Sequence, residues 1–202
     1  MSIQIRNALG AIQSEPLFDP SYRATTAGFA YLTANSGVDI SFLAGSGTNV
    51  VRLKRVLVTL IGSKTSVTSR AGDLAFALVK RSALDTSAAN VAMTISPMDS
   101  ASSVAAATAF TLSATTPVNG ATGTGYGAIG ATSLSVNAAS GVATYGGIPS
   151  TAQFVWNFTE HGDQAPVLRL ATECFGIQVT DGGTVPTNAT IDVEWQWEEG
   201  TT

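Results

Sequence analysis

Charge is what this sequence has least of. Asp, Glu, Lys and Arg make up 12% of its 202 residues, about half the roughly 25% of an ordinary soluble domain. Between Asp85 and Glu160 a single charged side chain, Asp99, stands among Ala, Ser, Thr, Gly, Val and a few aromatics. Catalysis needs groups that move protons, bind metals or hold charge, and this third of the chain offers none. Nucleic-acid surfaces need clustered Lys and Arg; a net charge of −4 argues against them, as it does against a basic membrane-surface mode. Interface cores are depleted of charge, so the deficit is read as surface covered by other subunits.

Cysteine is nearly absent. Cys174 stands alone, which excludes an internal disulfide and any need for an oxidising compartment; it reads as a small buried hydrophobe. Histidine is equally scarce. His161 lies in Glu160-His161-Gly162-Asp163, too few ligands for zinc, and a plain surface turn is expected over a calcium site or a Cys174–His161 pair. Long apolar runs are missing too. Val56 to Ile61 is far too short to span a bilayer, and the first residues lack the pattern of a secretory leader. Synthesis in a cytoplasm is the expectation. The sequons at Asn157 and Asn188 then carry no meaning.

What is present is strand patterning. Val38 to Phe42 alternates apolar and polar residues, the period of a half-buried strand. Val50 to Gly62 is the strongest core strand, but keeping one face across Leu53 and Val56 requires a bulge near Lys54-Arg55. Its Arg52, Lys54 and Arg55 form the densest basic cluster, read as a solvated strand face. Leu74, Phe76 and Leu78 share a face of the next strand, and Phe154 to Phe158 resumes the pattern. Ile191, Val193, Trp195 and Trp197 point one way on the last strand. Asp192, Glu194, Gln196 and Glu198 point the other, toward water or a basic partner. Glu194, Glu198 and Glu199 read as a solvated face rather than a glycosidase pair. The expected core comprises Leu53, Val58, Phe76, Trp156, Val193, Trp195 and Trp197. Asp99-Ser100-Ala101-Ser102 caps a short helix, or the stretch simply connects to a strand at 107–113.

Two segments stand apart. Residues 1–24 read as an N-terminal arm, apolar at Ile3, Ile5, Leu9, Ile12, Phe18 and Tyr22 but broken by Pro16 and Pro20. Residues 117–147 read as a glycine-rich projecting loop or small hairpin containing Tyr126 and Tyr145. Its Gly125-Tyr126-Gly127-Ala128-Ile129-Gly130 matches a dinucleotide fingerprint in letters only, with no helix pattern or acid behind it. Ile3, Ile5, Leu9, Phe18, Tyr22, Tyr126 and Tyr145 are the candidate assembly residues. No catalytic, cofactor or metal residue is expected. Eight or nine short strands with turns between them predict an all-β, two-sheet antiparallel sandwich over 25–202, with a jelly roll as the arrangement.

Three motifs follow one another in the C-terminal half. They are Pro97-Met98-Asp99-Ser100 leading through Ala105–Ala109 to Thr116-Pro117, then Pro166-Val167-Leu168-Arg169-Leu170 with Glu173, then Val193-Glu194-Trp195-Gln196-Trp197-Glu198-Glu199. This order resembles a loose group of virion structural proteins of tailed bacteriophages and prophages, which read P-V-x-L-R-G with a glutamate soon after and end in E-W-x-E. Leu170 replaces the glycine here, and Gln196-Trp197 lengthens the last motif. The resemblance implies a β-sandwich assembled in the bacterial cytoplasm into a virion. The expected role is a capsid decoration or cement protein, a homo-oligomer (a trimer) on the major capsid protein, with no nucleic-acid or membrane partner. A tail or head–tail connector component and a receptor- or glycan-binding module are the rival readings.

Overall fold

Alternation decides the last strand, and the last strand organises the fold. In the computed structural model, Thr190–Gly200 buries every second side chain, with Ile191, Val193, Trp195 and Trp197 inward. The structure describes residues 5–6, 12–13, 20–26, 29–30, 37–61, 72–86, 90–112, 119–136, 151–159, 165–181 and 190–200. Within them the strands are β1 (Ile5–Arg6), β2 (Ile12–Gln13), β3 (Ser21–Thr25), β4 (Phe29–Ala30), β5 (Asp39–Ala44), β6 (Val50–Ile61), β7 (Gly72–Arg81), β8 (Asn90–Ala92), β9 (Ile95–Pro97), β10 (Thr108–Leu112), β11 (Gly127–Val136), β12 (Thr151–Asn157), β13 (Val167–Leu168), β14 (Cys174–Asp181) and β15 (Thr190–Gly200).

Eight of these strands pair in a nested order. The first, β3, lies beside the last, β15; β5 beside β14; β6 beside β12; and β7 beside β11, all antiparallel. Successive pairs fall in opposite sheets, giving β12-β6-β15-β3 in one and β11-β7-β14-β5 in the other. A long hairpin rolled in this way is a jelly roll. The all-β, two-sheet antiparallel sandwich expected from the sequence is therefore the fold.

The core lies between the sheets. Leu53, Val58, Phe76, Trp156, Val193, Trp195 and Trp197 are all buried in it. The bulge expected in β6 is there: Arg55 faces Gln196 and Leu53 faces Trp197, which leaves Lys54 as the extra residue. Val51 and Leu53 point inward before it; Val56, Val58 and Leu60 do so after it. One inserted residue thus keeps a twelve-residue strand on a single core. The buried Trp195 indole donates to Ser41 Oγ at 2.8 Å, and Ser41 donates to Phe110 O at 2.8 Å, so this polar chain through the core is satisfied.

Two boundaries differ from the sequence reading, and a third segment resolves between its two alternatives. Residues 21–25 belong to the sandwich, not to an arm: β3 pairs with β15, and Tyr22 is 1% exposed with its ring 5.8 Å from that of Trp197. Tyr22 is a core residue, so a cut at residue 22 would remove part of a central pair. The glycine-rich stretch 117–147 is not a loop throughout, because 127–136 form the ten-residue β11. Small side chains satisfy a ladder as well as large ones, since the backbone makes the bonds. Asp99 caps a turn, accepting from the Ala101 amide at 2.9 Å, and the Ser/Ala stretch leads to β10 without a helix.

Residues 82–126, between the fourth and fifth strands of the roll, form an insertion. Its β9 pairs with β3 and its β10 with β5, while β8 pairs with β10. The insertion thereby extends both sheets at the same side of the sandwich. It also covers the outer face of β5 and β14, where Phe42, Ala44 and Cys174 pack against Leu84 and Phe110.

Candidate assembly surface

Four buried carboxylates, in three anchors, hold the insertion and its neighbouring loops in place. Glu199, on β15, is 3% exposed. Its Oε1 accepts from the Ala107 amide at 2.9 Å and the Trp197 indole at 3.0 Å. Its Oε2 accepts from the Ala106 amide at 2.9 Å and Asn49 Nδ2 at 3.1 Å. Four donors offset the desolvation of one carboxylate. Tyr22 adds a second tie, its hydroxyl donating to Ser103 O at 3.0 Å.

Glu173 closes the turn that follows β13. Its Oε2 accepts from the amides of Arg169 at 2.5 Å and Leu170 at 3.1 Å. Its Oε1 accepts from the Tyr126 hydroxyl at 2.7 Å and lies 3.4 Å from Lys80 Nζ. Burial pushes this carboxyl up, but Tyr126, the two amides and Lys80 together hold it below the ordinary carboxylate value. The spacing from Arg169 to Glu173 is thus that of a turn fastened by its own side chain.

Asp39, Arg81 and Asp85 form the third anchor. Arg81 makes a bidentate pair with Asp39, both distances 2.6 Å, the strongest geometry for an arginine–carboxylate contact. Arg81 also donates to Gly120 O at 3.3 Å and Thr122 Oγ1 at 3.1 Å. Asp85 Oδ1 accepts from the Gly120 amide at 2.6 Å. A side chain at Gly120 would collide with the Ala83 carbonyl, and one at Gly176 with the Asp39 carboxylate; both positions require glycine for close approach.

The acidic face of β15, expected to meet water or a basic partner, meets basic residues of this same chain. Lys54 lies 3.1 Å from Glu198, while Arg55 and Arg23 lie 3.6 and 4.0 Å from Glu194. The basic cluster of β6 and the acidic stripe of β15 neutralise one another across the ladder. Each pair is half-exposed and individually weak.

The expected assembly residues scatter. Ile3, Leu9, Phe18 and Tyr145 lie outside the described residues, as do Glu160, His161 and Asp163. Ile5 is in β1, paired with Gln13 of β2. Tyr22 is core. Tyr126 remains half-exposed at the base of the insertion, with Lys80 Nζ 5.1 Å from its ring centre. The exposed apolar side chains are elsewhere: Val91, Met98 and Val104 on the insertion, Leu170 on the Glu173 turn, and Ile129 and Val155 on β11 and β12. Val104 is 94% exposed. Val91, Ile129 and Val155 lie in strands, where an apolar residue reads as core by default; Met98, Val104 and Leu170 lie in turns and connections, where no periodicity marks a face. The one cue to an outward strip was the missing charge around them.

Cys174 is fully buried, donating to Ala83 O at 3.5 Å. Burial, and then the charges of Asp85 and Asp39, push its thiol well above the ordinary value, so it is a poor nucleophile. Gly127 to Gly130 open β11 rather than a helix. No protein-family model, curated protein or solved structure matches the chain.

Proposed function

We propose that the chain is a non-enzymatic structural protein of a phage virion, a capsid decoration or cement protein that acts as a trimer on the major capsid protein. The observation that supports this most is the exposed apolar set Val91, Met98 and Val104 on an insertion whose charged groups in the described residues are Asp85, buried, and Asp99. Exposed apolar side chains with little charge among them mark protein contact surfaces. The insertion presents them from a rigid base, since Glu199, Tyr22 and Arg81 fix it to the roll. Binding there stabilises a shell by mass action, because the assembled state alone gains the contacts.

The native mass of the purified protein by light scattering tests this reading. A trimer is expected. A ring of five, six or twelve copies would move the assignment to a connector or tail component, and a monomer at high concentration would remove self-association from it. Val104→Asp should weaken the oligomer and leave the melting temperature unchanged at concentrations where both proteins are monomers.

A further inference from the structure

The insertion returns to the sandwich through residues 119–126, tied at Tyr126 to Glu173 and, at its start, to the Arg81–Asp85 corner. The Ser82 amide and hydroxyl both donate to Ala121 O at 3.0 Å, and the Gly123 amide donates to Ser82 Oγ at 3.0 Å. Asn119 accepts from the Asp39 amide and donates to Gly37 O, both at 2.8 Å. Arg81 and Asp85 hold Gly120 from opposite ends of its peptide groups. Beneath these bonds lies an imbalance. Two buried carboxylates, Asp39 and Asp85, share one guanidinium, and Arg81 spends its paired donors on Asp39. Arg81 Nε is 3.7 Å from Asp85 Oδ1. Asp85 Oδ2 is buried without a hydrogen-bond partner. An ionised oxygen in that position forfeits its hydration and receives no donor in return.

We propose that this junction is a pH-sensitive clasp: the Asp85 carboxyl carries a proton while the clasp is closed, and residues 119–126 come away from the sandwich when that proton leaves. The proton comes from solvent. It cancels the excess negative charge and turns the orphaned acceptor into a hydroxyl. The groups facing Asp85 are Asp39 on β5, Arg81 on β7 and Cys174 on β14; the Asn90 amide binds its backbone carbonyl at 3.1 Å. Burial, then the Asp39 charge, raises the Asp85 pKa to about 7, against the Gly120 amide and Arg81, which favour the ionised form. Once ionised, Asp85 competes with Asp39 for Arg81, whose remaining donors hold Gly120 and Thr122.

The folded chain then binds a proton that the unfolded chain has released, so stability falls as pH rises from about 4 toward about 7. Chemical denaturation of the full chain from pH 5 to 8 measures this. The wild-type unfolding constant should rise by up to about tenfold per pH unit between 5 and 7, and Asp85→Asn should lose that slope. Equal slopes in the two proteins would overturn the proposal. If Asp85→Asn does not fold, infrared spectra of the wild type decide instead: a buried, protonated carboxyl band must be present at pH 5 and titrate away near neutrality, and its absence overturns the proposal. Hydrogen exchange tests the release. Between pH 6 and 8, amides of 119–126 should accelerate beyond those of β6, whereas parallel acceleration would sever the proton from the clasp.

Discussion

The two sides of the sandwich are closed in opposite ways. On one side, β3 and β5 are covered by the insertion, whose outermost strands β8 and β9 are three residues each, with β9 ending at Pro97. Short strands and proline are the usual means of stopping a sheet from recruiting another strand. On the other side, β11 and β12 pair only inward among the described residues, over ten and seven residues. Neither carries a charge. Among the described residues the one guard on β11 is a bulge, where Ala128 faces Val79 and Gly130 faces Leu78, leaving Ile129 as the extra residue, 37% exposed. One edge is finished by the chain itself. The other relies on side-chain packing across the gap, Trp156 of one sheet lying against Gly130 of the other.

The comparison is broken most severely on the finished side. Glu199→Ala removes the acceptor for two insertion amides, the Trp197 indole and Asn49 at once. Buried donors left unpaired cost about 1–3 kcal/mol each, so a loss of ~4 kcal/mol is expected in denaturant unfolding. Glu199→Gln should recover part of it, because the amide oxygen still accepts. A full recovery by Glu199→Leu would show that packing, not hydrogen bonding, holds the insertion.

On the open side Trp156→Ala should cost ~3 kcal/mol, toward the lower end for a large aromatic. The indole is 8% exposed at the sandwich margin, where neighbours can collapse into part of the space. Phe154, whose ring is 5.0 Å from that of Trp156, loses its edge-on partner. A smaller change is Gly130→Ala. Its methyl would press on the Trp156 indole nitrogen, and displacing that ring should cost ~1–2 kcal/mol. Placing Gly130→Ala on the Trp156→Ala background should abolish most of this second cost. A double-mutant cycle reads the coupling directly.

Much of this architecture was legible in the sequence, and the exceptions have physical causes. β15 and β6 are half-buried strands with large side chains, so a period of two, and the break in it at Lys54, could be read residue by residue. β11 could not. Its letters, Gly127-Ala128-Ile129-Gly130-Ala131-Thr132-Ser133, offer no side-chain contrast between faces, yet backbone pairing with β7 needs none. Tyr22 was obscured by Pro16 and Pro20, which argued for an arm right up to the start of a strand. The anchors were invisible for a different reason. Glu199 meets Ala107 across 92 residues of sequence, and Arg81 meets Asp39 across 42; no local pattern records which distant donor a carboxylate will find. Glu194 and Glu198 were read as a face toward water or a basic partner, and β6 and β3 supply that partner; Glu199, read with them as solvated, is instead buried against the insertion.

The smallest expected effect separates a free edge from one that matters only within an assembly. Ile129→Lys places a charge on the bulge residue, outside the core. The substitution should change stability by no more than ~0.5 kcal/mol, as for surface positions without buried partners. Lysine on an edge strand opposes strand addition by a neighbour. A second contact on this edge would show as a fall in the native mass of Ile129→Lys with Val155→Lys, with the melting temperature unchanged at concentrations where both proteins are monomers. If the mass is unchanged, self-association runs through the apolar side chains of the insertion, and the two sides of the sandwich divide the work differently: the finished edge presents the contact surface, and the open edge is tolerated because its bulge and small residues make it a poor template. If instead the melting temperature drops by several degrees, Ile129 packs against part of the chain itself, and the edge is not open at all.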